Sequence, residues 1–256
     1  MYFYIFEQPK GISFAKQQTK IKEYIASIGI SGQFNGASPA RSAEEIATMG
    51  LERGFNTIVV VGSDHIVNKV AKILAQSEKA VLGVVPIDEN QSISRLIGTS
   101  NWKEACDSLK QRFLTTTKLM YLPPNKYFIT DAQIYSQGDN PTILTINNNF
   151  QAKFFFTEIV IHPGMRVEVI DRNFGVSKLQ RSFNWLMGKP QPVAAYSIFN
   201  ASKITLNSKK SVFIFVNKEI IAKSPLSMEI KQKLLKIITI RSMIVLNQET
   251  KENQSE

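Results

Sequence analysis

The sequence predicts an α/β + β protein, an N-terminal parallel-sheet α/β domain followed by a β-sandwich domain. Three observations predict it. Apolar, β-branched runs alternate with helical patterns as far as Phe113, which is how a parallel sheet with crossover helices is written. After Phe113 the texture changes to short β-rich runs separated by turn residues such as Pro123-Pro124-Asn125 and Asn147-Asn148-Asn149, the pattern of an antiparallel sandwich. Finally, 256 residues with 43% hydrophobic and 10% aromatic content can bury a real core and do not belong to a disordered chain.

Taken in order, Tyr2 to Phe6 reads as an opening strand, and Gln8-Pro9-Lys10-Gly11 as a turn. Ala15 to Ile28 has helical spacing, and Gly29 and Gly32 then punctuate the chain. Ser42-Ala-Glu-Glu45 is a capping-box pattern opening a helix to about Arg53, with Gly54 as its C-cap. Thr57 to Val61 is a strand buried on both faces. Gly62-Ser63-Asp64 breaks it: Gly62 can take positive φ, and Ser63 or Asp64 can cap a helix beginning there. Ile66, Val70, Ile73 and Leu74 then recur at helical spacing. A third apolar strand runs from Ala80 to Val85 and stops at Pro86. Ser92 to Ile97 is a short helix, and Asn101 caps another that reaches about Phe113. The β-rich runs are Thr115–Leu122, Tyr127–Tyr135, Thr142–Ile146 and Ala152–Ile161. Four more come at Met165–Ile170, Val193–Ile198, Ser202–Leu206 and Val212–Val216. The expected division is 1–113 for the first domain, 114–224 for the second, a closing segment over 225–247 and a frayed tail over 248–256.

The turn after Val61 carries the chemistry. A strand that feeds a helix through a tight polar turn leaves backbone N–H groups at the helix start, and these suit an anion such as phosphate. Asp64 can be the helix N-cap or a metal ligand; His65 can be a plain loop residue. The stretch Gly62-Ser63-Asp64-His65-Ile66-Val67-Asn68-Lys69-Val70 resembles the nucleotide loop of the diacylglycerol kinase catalytic domain family. That family reads Gly-Gly-Asp-Gly-Thr, an apolar residue, Asn, Glu, Val. A second stretch, Leu82-Gly-Val-Val-Pro-Ile-Asp-Glu-Asn-Gln-Ser-Ile-Ser-Arg-Leu-Ile-Gly98, is similar at the same spacing to Leu-Gly-Ile-Ile-Pro-Leu-Gly-Thr-Gly-Asn-Asp-Phe-Ala-Arg-Ala-Leu-Gly.

The resemblance implies a fold shared by diacylglycerol kinases and NAD kinases, and ATP- and Mg²⁺-dependent phosphorylation of a lipid alcohol. It implies a nucleotide site at Gly62, Ser63, His65, Asn68, Asn90 and Arg95, with Asp64 near the metal or, as in the sphingosine kinase branch, acting as a base. Phe215-Val-Asn-Lys-Glu219 resembles the family's apolar-Asp-Gly-Glu motif and keeps Glu219 as a catalytic position. Asn217 stands where the family's Asp is taken to accept the hydroxyl proton, and an amide cannot take it. His65 and Ile66 replace a glycine and a threonine, Lys69 reverses a charge, and Asp88-Glu89-Asn90 replaces glycines with two carboxylates. The chain therefore reads either as a lipid kinase or as a catalytically degenerate homologue that binds a nucleotide or a lipid. The closing segment from Leu234 to Val245 can return to the first domain, as it does in the family.

The formal charge is +10, from 31 Lys and Arg against 21 Asp and Glu. It suits a lipid alcohol at an anionic membrane surface or a nucleotide, and equally a solvated basic face. No clear nucleic-acid motif accompanies it. A homodimer is a further partner class. One cysteine, Cys106, excludes an internal disulfide, and two histidines argue against a histidine-based zinc site. His162-Pro163-Gly164 reads as a turn, and Phe154-Phe155-Phe156 as sandwich core and edge. With no apolar run of membrane-spanning length and no signal-like N-terminus, the expected location is cytoplasmic, with peripheral visits to a membrane.

Overall fold

A computed structural model describes residues 1–87, 91–137, 140–172 and 195–240. The chain divides into two units: Met1–Leu119, Tyr127–Thr130 and the chain from Gln232 form the first, and Met120–Lys126 with Asp131–Lys231 the second.

The first unit begins β1 (Tyr2–Phe6), α1 (Ile12–Ser27), β2 (Gly32–Gly36), α2 (Ala43–Glu52), β3 (Thr57–Gly62), α3 (Asp64–Leu74) and β4 (Val81–Pro86). It continues through α4 (Ser92–Ile97) and α5 (Trp102–Gln111) into β5 (Phe113–Leu122). Its parallel sheet has the order β2-β1-β3-β4. The end of β16 (Leu226–Thr239) lies parallel beside β4 through Lys236↔Val81 and Ile237↔Leu82. All six residues of β3 and all six of β4 are buried, so both faces of these strands are covered. A Val or Ile removed from water in this way contributes roughly 1.5–3 kcal/mol. The core adds Phe3, Ile5, Ile21, Ile46, Leu74, Ile93 and Leu109 from the flanking strand and helices.

Local sequence accounts for the helix ends. The Ser42 box is closed on both sides: the Glu45 amide donates to Ser42 Oγ at 3.2 Å and the Ser42 amide to Glu45 Oε2 at 2.9 Å. Gly54 comes after α2 at φ +84°, a conformation that costs glycine little. Asn101 Oδ1 accepts from the amides of Lys103 and Glu104 at 3.0 Å and starts α5. That helix stops two residues before Phe113, because Arg112 turns left-handed at φ 54° and Phe113 already belongs to β5. Gly32, expected as punctuation, opens the short strand β2. Two glycines at the ends of five residues hide the period of that strand.

The second unit is antiparallel. After β6 (Lys126–Phe128), whose last two residues belong to the first unit, the chain passes β7 (Ala132–Tyr135), β8 (Thr142–Ile146), β9 (Phe150–Phe154), β10 (Glu158–Ile161) and β11 (Arg166–Asp171). Then come β12 (Ala195–Asn200), β13 (Lys203–Ser208), β14 (Phe213–Val216) and β15 (Glu219–Lys223). One sheet runs β12-β11-β10-β7-β14-β15. A second group joins the start of β16 to β13, β8 and β9. Alternation sets the faces. Ile134, Ile159, Ile161, Val167, Val169, Ile214 and Val216 are buried from the first sheet, and Leu144, Ile146, Ile204, Leu206 and Met228 from the second group. Phe199 of β12 meets Phe150 and Phe154 of β9 at ring distances of 5.9 and 5.7 Å. Phe156 is buried and Phe155 is half exposed, so this run is core and edge. Two long runs of the sequence reading, Tyr127–Tyr135 and Ala152–Ile161, are each split into two strands. The strand β15 and the long β16 were not foreseen as strands.

Candidate functional site

The corner between β3 and α3 is built from Gly62, Ser63 and Asp64. Gly62 does not take positive φ, contrary to the turn reading; its reason is a close approach. A Cβ there would stand 2.7 Å from Glu7 Oε2, 2.7 Å from Ile66 Cγ2 and 2.8 Å from Glu7 Cβ. Ser63 holds the N-cap position of α3 with no side-chain cap bond. Its backbone N–H instead donates to Glu7 Oε2 at 2.6 Å. Glu7 is itself fixed at the end of β1. Its N–H donates to the Val61 carbonyl at 2.9 Å, and its carbonyl accepts from Gln18 Nε2 at 2.6 Å. Lys10 Nζ lies 3.2 Å from Glu7 Oε1. A carboxylate of the chain thus rests on the helix-start amide where the sequence suggested room for an outside anion. The sequence reading passed Glu7 over; its one signal was an acid directly after an apolar strand that runs beside β3.

Asp64, the first residue of α3, does not cap its own helix. Its Oδ2 accepts from the Ser92 amide at 2.8 Å and its Oδ1 from the Ile93 amide at 3.1 Å. It caps α4 from a distance and uses both carboxylate oxygens to do so. Asn68, one turn on and buried, donates from Nδ2 to Thr130 Oγ1 at 2.7 Å and accepts at Oδ1 from the Ile129 amide at 2.9 Å. His65 is half-buried on the first turn of α3, and Arg95 is exposed on the last turn of α4. Asn90, with Asp88 and Glu89, lies outside the described residues. The structure therefore brings Gly62, Ser63, Asp64 and Asn68 together on one strand–helix unit and ties Asp64 to α4. Among the described residues no group of three or more His, Cys, Asp or Glu side chains is placed to hold a metal ion. Both carboxylate oxygens of Asp64 are engaged by the α4 amides.

Elsewhere in this unit, a shallow cleft of about 320 Å³ is lined by Met1, Arg53, Phe55, Asn56, Thr57 and Arg112. It sits at the start of β3, whereas ligands of open parallel sheets bind beyond the strands' carboxyl ends. Cys106 is fully buried, and burial pushes its thiol up to about 12, so it is a packing residue.

In the second unit, Asn217 and Lys218 form the tight turn between β14 and β15, both left-handed at φ 54° and 67°. Two left-handed residues are what a primed hairpin turn requires, and Asn tolerates them best among non-glycines. Glu219 opens β15 and is exposed. The sequence reading took His162 only as part of a turn. Its Nδ1 lies 3.2 Å from Asp131 Oδ1 and its Nε2 3.4 Å from Glu168 Oε2, while Arg166 reaches Glu168 Oε1 at 2.9 Å. The Asp131 bond, with Glu168 helping against partial burial, raises the His162 pKa above its ordinary 6.5. A raised folded-state pKa gives stability that is complete below the unfolded value and is lost as pH rises through the folded value. The melting-temperature gap between wild type and His162→Gln is therefore expected to be widest below about pH 6.5 and to close on the alkaline side. A gap that does not vary with pH would contradict this pairing.

An N-terminal parallel α/β unit with a polar corner at the strand ends, followed by an antiparallel unit, is the architecture of the diacylglycerol kinase and NAD kinase folds. Residues 4–122 match the family described as the diacylglycerol kinase catalytic domain, as the two motif stretches within them imply. The fold is similar to that of a diacylglycerol kinase from Bacillus anthracis str. Sterne, with a TM-score of 0.69 at 14% identity over 94% of this chain and 97% of that one. It is similar also to an NAD kinase from Archaeoglobus fulgidus in complex with ATP, with a TM-score of 0.50 at 11% identity over 94% of each chain. No curated protein matches the chain. Among the described residues, no helix is long and apolar enough to cross a membrane.

Proposed function

We propose that this chain is a diacylglycerol-kinase-like protein that keeps the fold as a scaffold for a lipid alcohol at an anionic membrane surface and has lost phosphoryl transfer. The observation that carries the reading is Asn217. The resemblance assigns to this position the group that accepts the hydroxyl proton, and the residue here is an amide set in a two-residue left-handed turn. Backbone geometry accounts for Asn at that place without any proton chemistry. The double engagement of Asp64 by the Ser92 and Ile93 amides supports the same reading, as do His65 and Ile66 in place of a glycine and a threonine. The net charge of +10 supports attraction to an anionic surface.

The retained Gly62, Asp64 and Asn68 favour a second reading, an active ATP- and Mg²⁺-dependent lipid kinase. One assay separates the two. The full chain is incubated with radiolabelled ATP, Mg²⁺ and a lipid extract containing diacylglycerol. Under the first reading no lipid carries label above the level given by Asp64→Asn. The same preparation should co-sediment with vesicles of anionic phospholipid and diacylglycerol and be released by salt. Labelled lipid that disappears with Asp64→Asn would establish the kinase instead.

A further inference from the structure

We propose that Glu7 is the resident anion of the α3 corner, a side-chain plug that keeps phosphoryl groups out of it in the resting chain; this rests on the binding reading above and adds the residue that decides which ligands the corner refuses.

Three features of the first unit converge on it. The Ser63 N–H, an amide at the positive end of an eleven-residue helix, already donates to Glu7 Oε2 at 2.6 Å. That is the length of a charge-assisted bond and the interaction a phosphate oxygen would make at a helix start. Next, Gly62 leaves the room in which the plug sits, since any Cβ would collide with Glu7 at 2.7 to 2.8 Å. The carboxylate is packed against the backbone, as a phosphate would be. Third, Glu7 is only 8% exposed. A phosphate cannot add to the corner beside it without placing like charges at contact distance under poor screening.

The plug is a side chain on a fixed backbone. The Glu7 main chain is anchored by Val61 and Gln18, so entry of an anion requires only rotation of the carboxylate. Lys10 stabilises the closed position through its 3.2 Å pair with Oε1. It is exposed over most of its length and is left facing the corner when the carboxylate leaves. The Ser63 Oγ is buried with no hydrogen-bond partner among the described residues, so the corner retains polar capacity that Glu7 does not use.

The probe is inorganic tripolyphosphate, titrated calorimetrically into the full chain. Glu7→Ala empties the corner and is expected to bind at least about tenfold more tightly than wild type, the strength of one charge-assisted bond freed for the ligand. Glu7→Gln keeps an acceptor for Ser63 without the charge and should gain less. In Glu7→Ala the Ser63 amide resonance should move on titration; in wild type it should stay until much higher concentration. Wild-type binding as tight as that of a cooperatively melting Glu7→Ala overturns the proposal. If Glu7→Ala does not fold, Glu7→Gln decides, and no gain over wild type overturns it. Failure here is separate from failure of the functional reading, which is decided by labelled lipid.

Discussion

Asp64→Ala should lower the unfolding free energy by about 2–3 kcal/mol, because two amides at the start of α4 lose a charged acceptor together. The carboxylate spans twenty-eight and twenty-nine residues to reach the Ser92 and Ile93 N–H groups. Both residues are buried, so water replaces the lost acceptor poorly. The helix concerned has six residues, too short to hold without tertiary support. Asp64→Asn should cost about half as much, since its amide retains one acceptor oxygen and turns an N–H₂ group towards the second donor. Urea denaturation measures both, with the midpoint falling and the slope unchanged. An unmoved midpoint in Asp64→Ala would return Asp64 to a purely chemical role. The two roles also differ in what lipid sees: a structural acceptor affects vesicle binding only through the folded fraction.

That distinction could not be drawn from the residues alone. Gly-x-Asp at a strand–helix corner suggests a helix cap or a metal ligand, and both options refer to local geometry. The observed partners lie on another helix, and no spacing within residues 57–74 encodes that. The same limit hid Glu7. Its value comes from β1 lying parallel beside β3, through pairs such as Phe6↔Val61, a register that sequence periodicity does not give. By contrast, β1, β3, β4, the Ser42 box and the Asn101 cap were legible. Each is a short-range matter: a continuous buried run, or a hydroxyl or amide placed two or three residues from the N–H it satisfies. The resemblance to the kinase family was legible for a related reason, because both of its stretches are compact strand–turn–helix corners. What failed in the second unit was segmentation. β14 and β15 are joined by Asn217-Lys218, which carries no glycine, so the hairpin reads as one motif with a polar interruption. Leu226–Thr239 mixes apolar residues and lysines without clean alternation, although it is a single strand of fourteen residues.

Asn68→Ala is expected to cost about 3 kcal/mol, the largest effect of any polar substitution in the first unit. Asn68 sits in the middle of α3, where Asn has weak helix propensity, so tertiary bonds must account for it. Its side chain uses both ends. Nδ2 donates to the fully buried Thr130 hydroxyl, and Oδ1 receives the amide of the fully buried Ile129. Truncation leaves that N–H in a dry environment with no partner, and the full desolvation penalty then applies. Asn68→Asp keeps the acceptor for Ile129, and the Thr130 hydroxyl can rotate to donate to the second oxygen, but a buried charge opposes the gain. Its loss should fall between those of wild type and Asn68→Ala. Asn68→Leu conserves volume and still orphans Ile129, so it should be nearly as costly as Ala; this separates the hydrogen bond from packing. Amide hydrogen exchange reads the bond directly. Protection at Ile129 should fall in Ala and Leu by more than the global loss explains, and should survive in Asp. Equal loss of protection in all three would mean that Asn68 supports α3 as a whole and has no special hold on the segment Tyr127–Thr130.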